Sequence, residues 1–293
     1  MFAAALPIAR APLSLLRMPP NASLHGIAVD HLMRWNLVAL LTCFIAAHVW
    51  LIFAMFRRRT TASTSSTLKR FPSGTLGSGA PGAIPVVKIL NQKTHRRWLP
   101  SLPWILLAML CVMYAWMAIT AQHLWAVNRY EGASPEAMQV EVVGQQFQWY
   151  FRYPGIDAKF GLTQPGLVNA AAGNPLGLDP RDPSGADDLV TSVLTLPAGR
   201  EVDIRLRSLD VIHGFFIPAM RLKQNAVPGL VVHIHFTPAV TGTYPILCSQ
   251  VCGLGHARMQ AQLHVVSEQD YQDWLHAQEA LHAREQQEQE PAR

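Results

Sequence analysis

The run LVALLTCFIAAHVWLIFAMF at Leu37–Phe56 contains 20 residues without a single Lys, Arg, Asp or Glu. A second run, WILLAMLCVMYAWMAITA at Trp104–Ala121, is 18 residues long and equally free of charge. About 20 apolar residues span a bilayer as an α-helix, and a buried core helix seldom runs this long without a polar face. The two runs therefore predict a transmembrane hairpin (α), with helices at 32–56 and 98–125.

The segment between the two helices indicates the orientation of the hairpin. Residues 57–97 carry nine Lys or Arg and no acid, which is typical of a cytoplasmic loop. Both termini and everything after the second helix are then on the periplasmic side of a bacterial-type inner (plasma) membrane. Residues 1–31 lack a basic start and a clear cleavage site, so two alternatives remain: a cleaved leader and a retained periplasmic segment.

The composition excludes several classes of protein. Half of the chain is hydrophobic and only 15% is charged, which excludes a disordered protein and a charge-rich cytosolic enzyme. The net charge of +5 is unevenly distributed: residues 1–125 hold 12 Lys or Arg and one acid, whereas residues 126–293 hold 12 Lys or Arg and 18 acids. The extracytoplasmic part is therefore net negative, and nucleic acid is excluded as a partner.

The chain after the hairpin is predicted to be all-β. Short β-rich runs alternate with Pro and Gly, and in E-V-D-I-R-L-R (Glu201–Arg207) every second residue is apolar. Seven such runs at short spacing predict a Greek-key sandwich or barrel over residues 126–267, followed by a polar helix over 268–293. The runs are Val140–Tyr153, Val190–Leu196, Glu201–Ser208, His213–Ile217, Leu230–Phe236, Gly242–Leu247 and Met259–Val266, with Pro154–Asp188 as an insertion between the first two.

The stretch C-S-Q-V-C-G-L-G-H-A-R-M (Cys248–Met259) contains the residues best suited to bind a metal ion. Two thiols, an imidazole and a thioether fall within one loop, and His213 begins a predicted strand 35 residues upstream. Thiolate, imidazole and a weak thioether on a β-sandwich are typical of copper electron-transfer sites, and a second thiolate allows two copper ions to be bridged. Structural zinc and a disulfide remain alternatives. The residues concerned are Cys248, Cys252, His256, Met259 and His213.

Other histidines are interpreted as structural. His233, His235 and His264 lie on predicted strands outside the loop pattern. His48 lies inside the first membrane span, and we interpret it as a neutral side chain hydrogen-bonded to a neighbouring helix.

At these residues the sequence closely resembles subunit II of the haem–copper cytochrome c oxidases, which contain the dinuclear CuA centre. The resemblance covers roughly residues 30–270 and includes the two-span hairpin. The matching segments are D-V-I-H (Asp210–His213), K-Q-N-A-V-P-G (Lys223–Gly229), G-Q-Q-F-Q-W-Y-F-R-Y (Gly144–Tyr153) and the loop Cys248–Met259.

The resemblance implies a cupredoxin-like domain and a role for each donor. Cys248 and Cys252 would bridge two coppers, His213 and His256 would each cap one, and Met259 would be a weak ligand. Gln250 would supply its backbone carbonyl.

Three departures from the family pattern are visible. Gln250 stands where the family usually has Glu, and a neutral amide is a poorer ligand for the Mg²⁺ at the subunit I interface. Phe147 replaces the Trp through which electrons usually arrive, so Phe147, Trp149 or Tyr150 would accept them. Arg152 and Asn225 stand at positions that are often acidic, which would weaken the docking of a basic cytochrome c.

The implied function is electron transfer within a terminal cytochrome c oxidase. The CuA centre would accept electrons from cytochrome c, or a similar small carrier, and pass them to haem in subunit I, where O₂ is reduced to water and protons are pumped. The chain would be an oxidoreductase only as part of that complex, with subunit I, other oxidase subunits and the lipid bilayer as partners. Two alternatives remain: a copper-free structural subunit of a quinol oxidase, and a membrane-tethered copper carrier.

Overall fold

The two apolar runs form long helices. The computed structural model describes residues 19–63 and 102–289, and in it α1 spans Leu24–Ser63 and α2 spans Leu102–Arg129. Both are long and apolar enough to cross a membrane by length and composition. The predicted basic loop 57–97 and the segment 1–31 lie largely outside the described residues.

The first turns of α1 precede the apolar run and belong to a different unit. The described residues between Leu32 and Ala121 cluster as one unit, whereas His31 and the turns before it cluster with the residues from Gln122 onward. An ion pair fixes this assignment, because Arg221 Nε donates to Asp30 Oδ1 at 2.7 Å. Within the helical unit, His48 Nδ1 lies 2.8 Å from Phe44 O, so its partner is in its own helix rather than in the neighbouring helix that was predicted.

Within the described residues, the rest of the chain forms ten strands and a terminal helix. Two five-stranded sheets have the orders β3-β2-β1-β5-β8 and β4-β10-β9-β6-β7, with β1–β5 and β10–β4 parallel and the other pairs antiparallel. This Greek-key sandwich confirms the predicted fold class. The elements are β1 Met138–Gln145, β2 Gln148–Tyr153, β3 Leu189–Thr191, β4 Val193–Pro197, β5 Val202–Ser208, β6 His213–Ile217, β7 Leu222–Ala226, β8 Val232–Phe236, β9 Gly242–Cys248, β10 Gln260–Val266 and α3 Glu268–Gln289.

The core lies between the two sheets. Val142 on β1 pairs with Leu206 on β5, and both belong to the same buried cluster as Leu194 and Leu263 of the other sheet. Each such residue stabilises the fold by roughly 1.5–3 kcal/mol through removal of apolar surface from water. The rigid pair of sheets fixes the strand ends that carry the predicted donors.

Three details of the predicted strands were wrong. The run Val140–Tyr153 is a hairpin of β1 and β2 rather than one strand. The run Val190–Leu196 is split into β3 and β4, because the chain crosses from one sheet to the other near Ser192. The polar strand β7 was missed, since its pairing with β6 rather than its own sequence makes it a strand.

A buried ion network holds the insertion before β3 against the first sheet. Arg152 on β2 is 1% exposed and pairs with Glu141 at 3.1 Å and with Asp188, and its Nη2 donates to Gly161 O at 2.6 Å. Burial alone would raise the pKa of Glu141, but hydrogen bonds and charge from Arg207 and Arg152 hold it below its ordinary value. Arg152 is therefore a structural residue, and the expectation that it weakens a docking surface was wrong.

The terminal helix α3 packs against β3 and β4 of the sandwich. Ser267 caps it, since Asp270 N donates to Ser267 Oγ at 3.1 Å and Ser267 Oγ donates to Asp270 Oδ2 at 2.6 Å. Tyr271 is buried, and Trp274 packs edge-on against Tyr153 with ring centroids 5.2 Å apart.

Candidate metal centre

The predicted donors converge at one end of the second sheet. β9 ends at Cys248 and β10 begins at Gln260, so the loop between them returns the chain to the same sheet edge. β6 begins at His213 beside this edge, where Phe215 is paired with Cys248 and Ser249 N donates to Gly214 O at 2.8 Å. Antiparallel pairing thus places a histidine and a cysteine side by side although 35 residues separate them.

Cys252 lies at the centre of the donor set. Its Sγ is 3.8 Å from Cys248 Sγ, 3.7 Å from His256 Nδ1 and 3.8 Å from Met259 Sδ. The Sγ of Cys248 lies 3.1 Å from the main-chain oxygen of Gln250, whose side chain is exposed. All the predicted donor positions of the loop are therefore near one point.

His213 completes the cluster from β6. Its ligand atom and the two thiols lie within 4.8 Å of one another. The side chain is fully buried, and Nδ1 has no hydrogen-bond partner among the described residues. Nε2 lies 2.8 Å from Asp210 Oδ1 and donates to it, which leaves a lone pair on Nδ1.

Asp210 is held in turn by the backbone around it. Its Oδ2 accepts from Gln146 N at 2.7 Å and its Oδ1 accepts from Val211 N at 2.6 Å. Burial works to raise the pKa of Asp210, but these bonds and the bond from His213 lower it below its ordinary value. The carboxylate is thereby kept ionised and aimed at the imidazole.

The turn between β1 and β2 packs across the metal loop. Gln146 Nε2 donates to Cys252 O at 2.6 Å, and a Cβ built on Gly255 would overlap the ring of Phe147. A Cβ on Gly253, whose φ is +137°, would also meet the Phe147 ring at 3.1 Å. Glycine at these two positions lets the aromatic ring lie directly on the loop.

The three aromatic residues predicted to accept electrons differ in exposure. Phe147 is 39% exposed, Tyr150 is half-buried and Trp149 is fully buried. The Trp149 ring packs edge-on against His213 at 5.8 Å and against Phe215 at 5.2 Å. Trp149 therefore lies behind the donor cluster, and Phe147 lies between the cluster and solvent.

The donor set fits a soft or borderline metal. Burial raises the pKa of the Cys252 thiol to about 11, with the neighbouring Cys248 adding to the shift, so a bound metal must displace its proton. Two thiols, a thioether and an imidazole nitrogen without a partner are ligands that bind copper more strongly than they bind hard cations. His213 Nδ1, a buried polar atom otherwise lacking a partner, is the observation that most directly indicates a ligand.

Comparison with known proteins assigns this domain. Residues 138–266 match the family model described as cytochrome c oxidase subunit II, periplasmic domain. This part of the chain is therefore similar to the periplasmic domain of cytochrome c oxidase subunit II. The alternative cytochrome c oxidase subunit 2 of Bradyrhizobium diazoefficiens is 39% identical over 166 residues, which cover 56% of this chain and 59% of that protein.

Two further comparisons involve the same subunit II domain. Cytochrome c oxidase subunit 2 of Thermostichus vulcanus is 31% identical over 156 residues, covering 51% of this chain and 38% of that protein. The aligned part thus spans roughly half the length of these relatives. The crystal structure of the periplasmic domain of subunit II of cytochrome oxidase from Bradyrhizobium japonicum is 26% identical, with a TM-score of 0.37, and covers 50% of this chain and 98% of that one.

Sequence reasoning missed the groups that orient these donors. Gln146 was part of a predicted strand, and Asp210 appeared only within the D-V-I-H segment that carries the resemblance. The signal for Asp210 was its position three residues before His213, a spacing that lets a carboxylate reach the imidazole. Gln146 left no comparable signal, because its contact with Cys252 joins residues 106 apart.

Proposed function

We propose that this chain is the electron-transfer subunit of a terminal cytochrome c oxidase. It would accept electrons from cytochrome c, or a similar small carrier, and deliver them to haem in subunit I, where O₂ is reduced and protons are pumped. The β-domain and both termini would lie on the periplasmic side of a bacterial inner membrane. The observation that carries the proposal is the convergence of His213, Cys248 and Cys252 on one point, with His213 Nδ1 unpartnered.

The donors of the loop would hold two copper ions. Cys248 and Cys252 would supply thiolates to both, His213 and His256 one imidazole each, Met259 a weak thioether and Gln250 its main-chain oxygen. A bound copper pair supplies a one-electron redox centre in which the change of charge is shared by two metals. The chain holds these donors beside the paired strands β6, β9 and β10, with His213, Cys252 and Met259 buried, which would limit rearrangement of the ligands.

A docked electron carrier would contact Phe147. It is the exposed member of the aromatic set and lies on Gly253 and Gly255 of the loop. Val251 and Leu254 add exposed apolar surface at the same loop. The net negative charge of residues 126–293 would attract a basic carrier toward this surface.

The magnesium site of the family is not part of the proposal. The side chain of Gln250 is exposed, and a neutral amide binds Mg²⁺ more weakly than a carboxylate. Copper binding would not need this side chain, because the main-chain oxygen of Gln250 already lies 3.1 Å from Cys248 Sγ.

Copper reconstitution of the full chain in detergent tests the proposal. We expect a purple protein with two coppers per chain and a seven-line copper EPR pattern, which is what two bridging thiolates would produce. A blue single-copper signal would indicate a mononuclear carrier, and a protein that binds zinc but no copper would indicate a structural site. Either result would overturn the proposal, as would absence of copper from a complex that still respires.

Asp210→Asn is expected to weaken copper binding without unfolding the domain. The carboxylate fixes the tautomer and orientation of His213, and loss of such an outer partner typically costs about 10–100-fold in metal affinity. Competition with a copper chelator measures the change, and the EPR hyperfine pattern reports the altered imidazole.

Asp203→Asn is the matched control for Asp210→Asn. It breaks the same kind of carboxylate–imidazole bond, in which His233 Nδ1 lies 2.9 Å from Asp203 Oδ2. These two residues are on strands β8 and β5, away from the loop. Copper affinity should stay unchanged in this variant. Equal losses in the two variants would show that Asp210 acts only through general stability.

A further inference from the structure

Four connections between strands meet at the end of the sandwich that carries the donors. Gln146 Nε2 donates to Cys252 O at 2.6 Å and Gln146 N donates to Asp210 Oδ2 at 2.7 Å, which joins three of these connections. A backbone bridge between Ser208 and Pro228 adds the fourth. The connections are residues 146–147, 209–212, 227–231 and 249–259, and we call the surface that they form the loop end.

The loop end is apolar and nearly uncharged. Among its residues, only Asp210 and Arg258 have a charged side chain. The Asp210 carboxylate already accepts hydrogen bonds from His213 and from two backbone N–H groups. Large exposed apolar patches usually mark a site of interaction with another molecule. The exposed apolar side chains occur on all four connections and include Phe147, Val211, Ile212, Leu230, Val251 and Leu254.

The acids of residues 126–293 are concentrated in α3 and the few residues after it. Residues 268–293 hold seven acids and two arginines, whereas residues 126–267 hold 11 acids and ten Lys or Arg. The sandwich by itself is therefore nearly neutral, and the terminal segment provides most of the net negative charge.

α3 begins at the opposite end of the sandwich from the loop end. β10 leaves the metal loop at Gln260 and runs for seven residues, which is about 20 Å, before α3 begins. Trp274 of α3 packs on Tyr153, the last residue of β2, whereas the first residue of β2 follows Phe147. Exposed charges farther apart than about 8–10 Å are largely screened at physiological salt. The acids of α3 therefore attract a basic carrier at low ionic strength but do not hold it at the loop end.

We propose that the electron carrier docks on the loop end through apolar contacts, and that its own docking face is apolar and nearly uncharged rather than rich in lysine. This inference rests on the proposed function. Phe147 lies on Gly253 and Gly255 of the metal loop, so a carrier seated there contacts the ring that lies between the donors and solvent. Burial of Val251 and Leu254 supplies the attraction that ion pairs supply in a charged interface.

The position of the loop end favours a soluble carrier over a neighbouring membrane subunit. The chain enters α1 at the other ends of the strands, where Ala22 N donates to Ala219 O at 2.8 Å and Leu24 N donates to Thr237 O at 3.1 Å. Ala219 follows β6 and Thr237 follows β8, and both strands begin beside the loop end. The loop end is therefore separated by the length of these strands from the start of the first membrane helix, where a carrier can approach from solution.

Oxidation of two probes by the intact oxidase complex tests the inference. The probes are a lysine-rich cytochrome c and the same protein after acetylation of its lysines, which removes their charges. We expect the two KM values to differ by less than about twofold, and each to change by less than about twofold between roughly 0.1 and 0.4 M salt. A rise in KM of more than about tenfold on acetylation or on addition of salt would indicate docking through lysines and would overturn the inference.

Leu254→Ser is expected to raise the KM for both probes by about five- to tenfold at every salt concentration, because apolar area buried in the complex is lost. The copper EPR signal should stay that of the parent, since the Leu254 side chain is fully exposed to solvent. Ile156→Ser is the matched control. Ile156 is 87% exposed and follows Tyr153 at the other end of β2, so its KM values should be unchanged.

Other outcomes separate a failure of this inference from a failure of the proposed function. An unchanged KM in Leu254→Ser, an equal rise in Ile156→Ser, or release of subunit I from the complex in Leu254→Ser would each overturn the inference. The last result would make the loop end a subunit interface. In each case an intact copper EPR signal would leave the proposed function standing. Absence of that signal together with no oxidation of either probe would reject the proposed function and the inference with it.

Discussion

Cys252→Ser should abolish the dinuclear copper centre and leave at most one copper per chain. Cys252 Sγ is the donor that three others surround, at 3.7–3.8 Å from a thiol, an imidazole nitrogen and a thioether. A serine hydroxyl is a hard, weak ligand for copper and does not bridge two ions as a thiolate does. Elemental analysis should show the loss of one or both coppers, and the seven-line EPR pattern should disappear.

Cys111→Ser provides the control for this substitution. Cys111 lies in the exposed apolar surface of α2 and is far in sequence from the loop, so copper content and spectrum should be those of the parent. Retention of two coppers and an unchanged spectrum in Cys252→Ser would refute the bridging role. Cys248→Ser should match Cys252→Ser, because the two sulfurs face the same site.

Arg152→Met should destabilise the sandwich by about 3–5 kcal/mol, since it leaves the buried Asp188 carboxylate without its cation and Glu141 with Arg207 alone. Arg152 is the partner shared by Glu141 and Asp188, and Asp188 has no exposed side-chain surface. Burial already raises the pKa of Asp188 despite the bond to Arg152, so removal of that cation adds directly to the cost. Urea unfolding in detergent, followed by near-ultraviolet circular dichroism, measures the free energy of unfolding.

Two further variants test whether the loss of stability in Arg152→Met comes from the unpaired buried charge. Arg181→Ala removes an arginine whose side chain is 81% exposed and should change stability by less than about 0.5 kcal/mol. Adding Asp188→Asn to Arg152→Met removes the unpaired charge and should recover part of the loss. If Arg152→Met cost no more than Arg181→Ala, the network would be irrelevant to stability.

The hairpin of β1 and β2 shows where prediction from sequence failed. Gly144–Tyr153 contains no Pro, Asn or Asp to indicate a turn, so a stretch rich in aromatic residues and Gln was predicted to be one strand. The turn forms because Asp210 accepts from Gln146 N and Cys252 O accepts from the Gln146 amide. Both partners lie more than 60 residues away, and a local pattern cannot contain them.

The interpretation of Arg152 from the sequence was also wrong, because the residues that surround it are distant along the chain. Its charge and its position in the resemblance suggested a surface residue, but Glu141 and Asp188 enclose it.

The sequence by itself determined the two apolar helices, the all-β class of the second half and the donor set of the metal loop. These features depend on residues close together along the chain, where length, alternation and spacing are directly legible. Only the tertiary structure decided which sheet each strand joins, how Asp210 and Gln146 hold the donors, and which arginine is buried. Those outcomes depend on hydrogen bonds and burial between distant segments, which exist only once the two sheets have packed together.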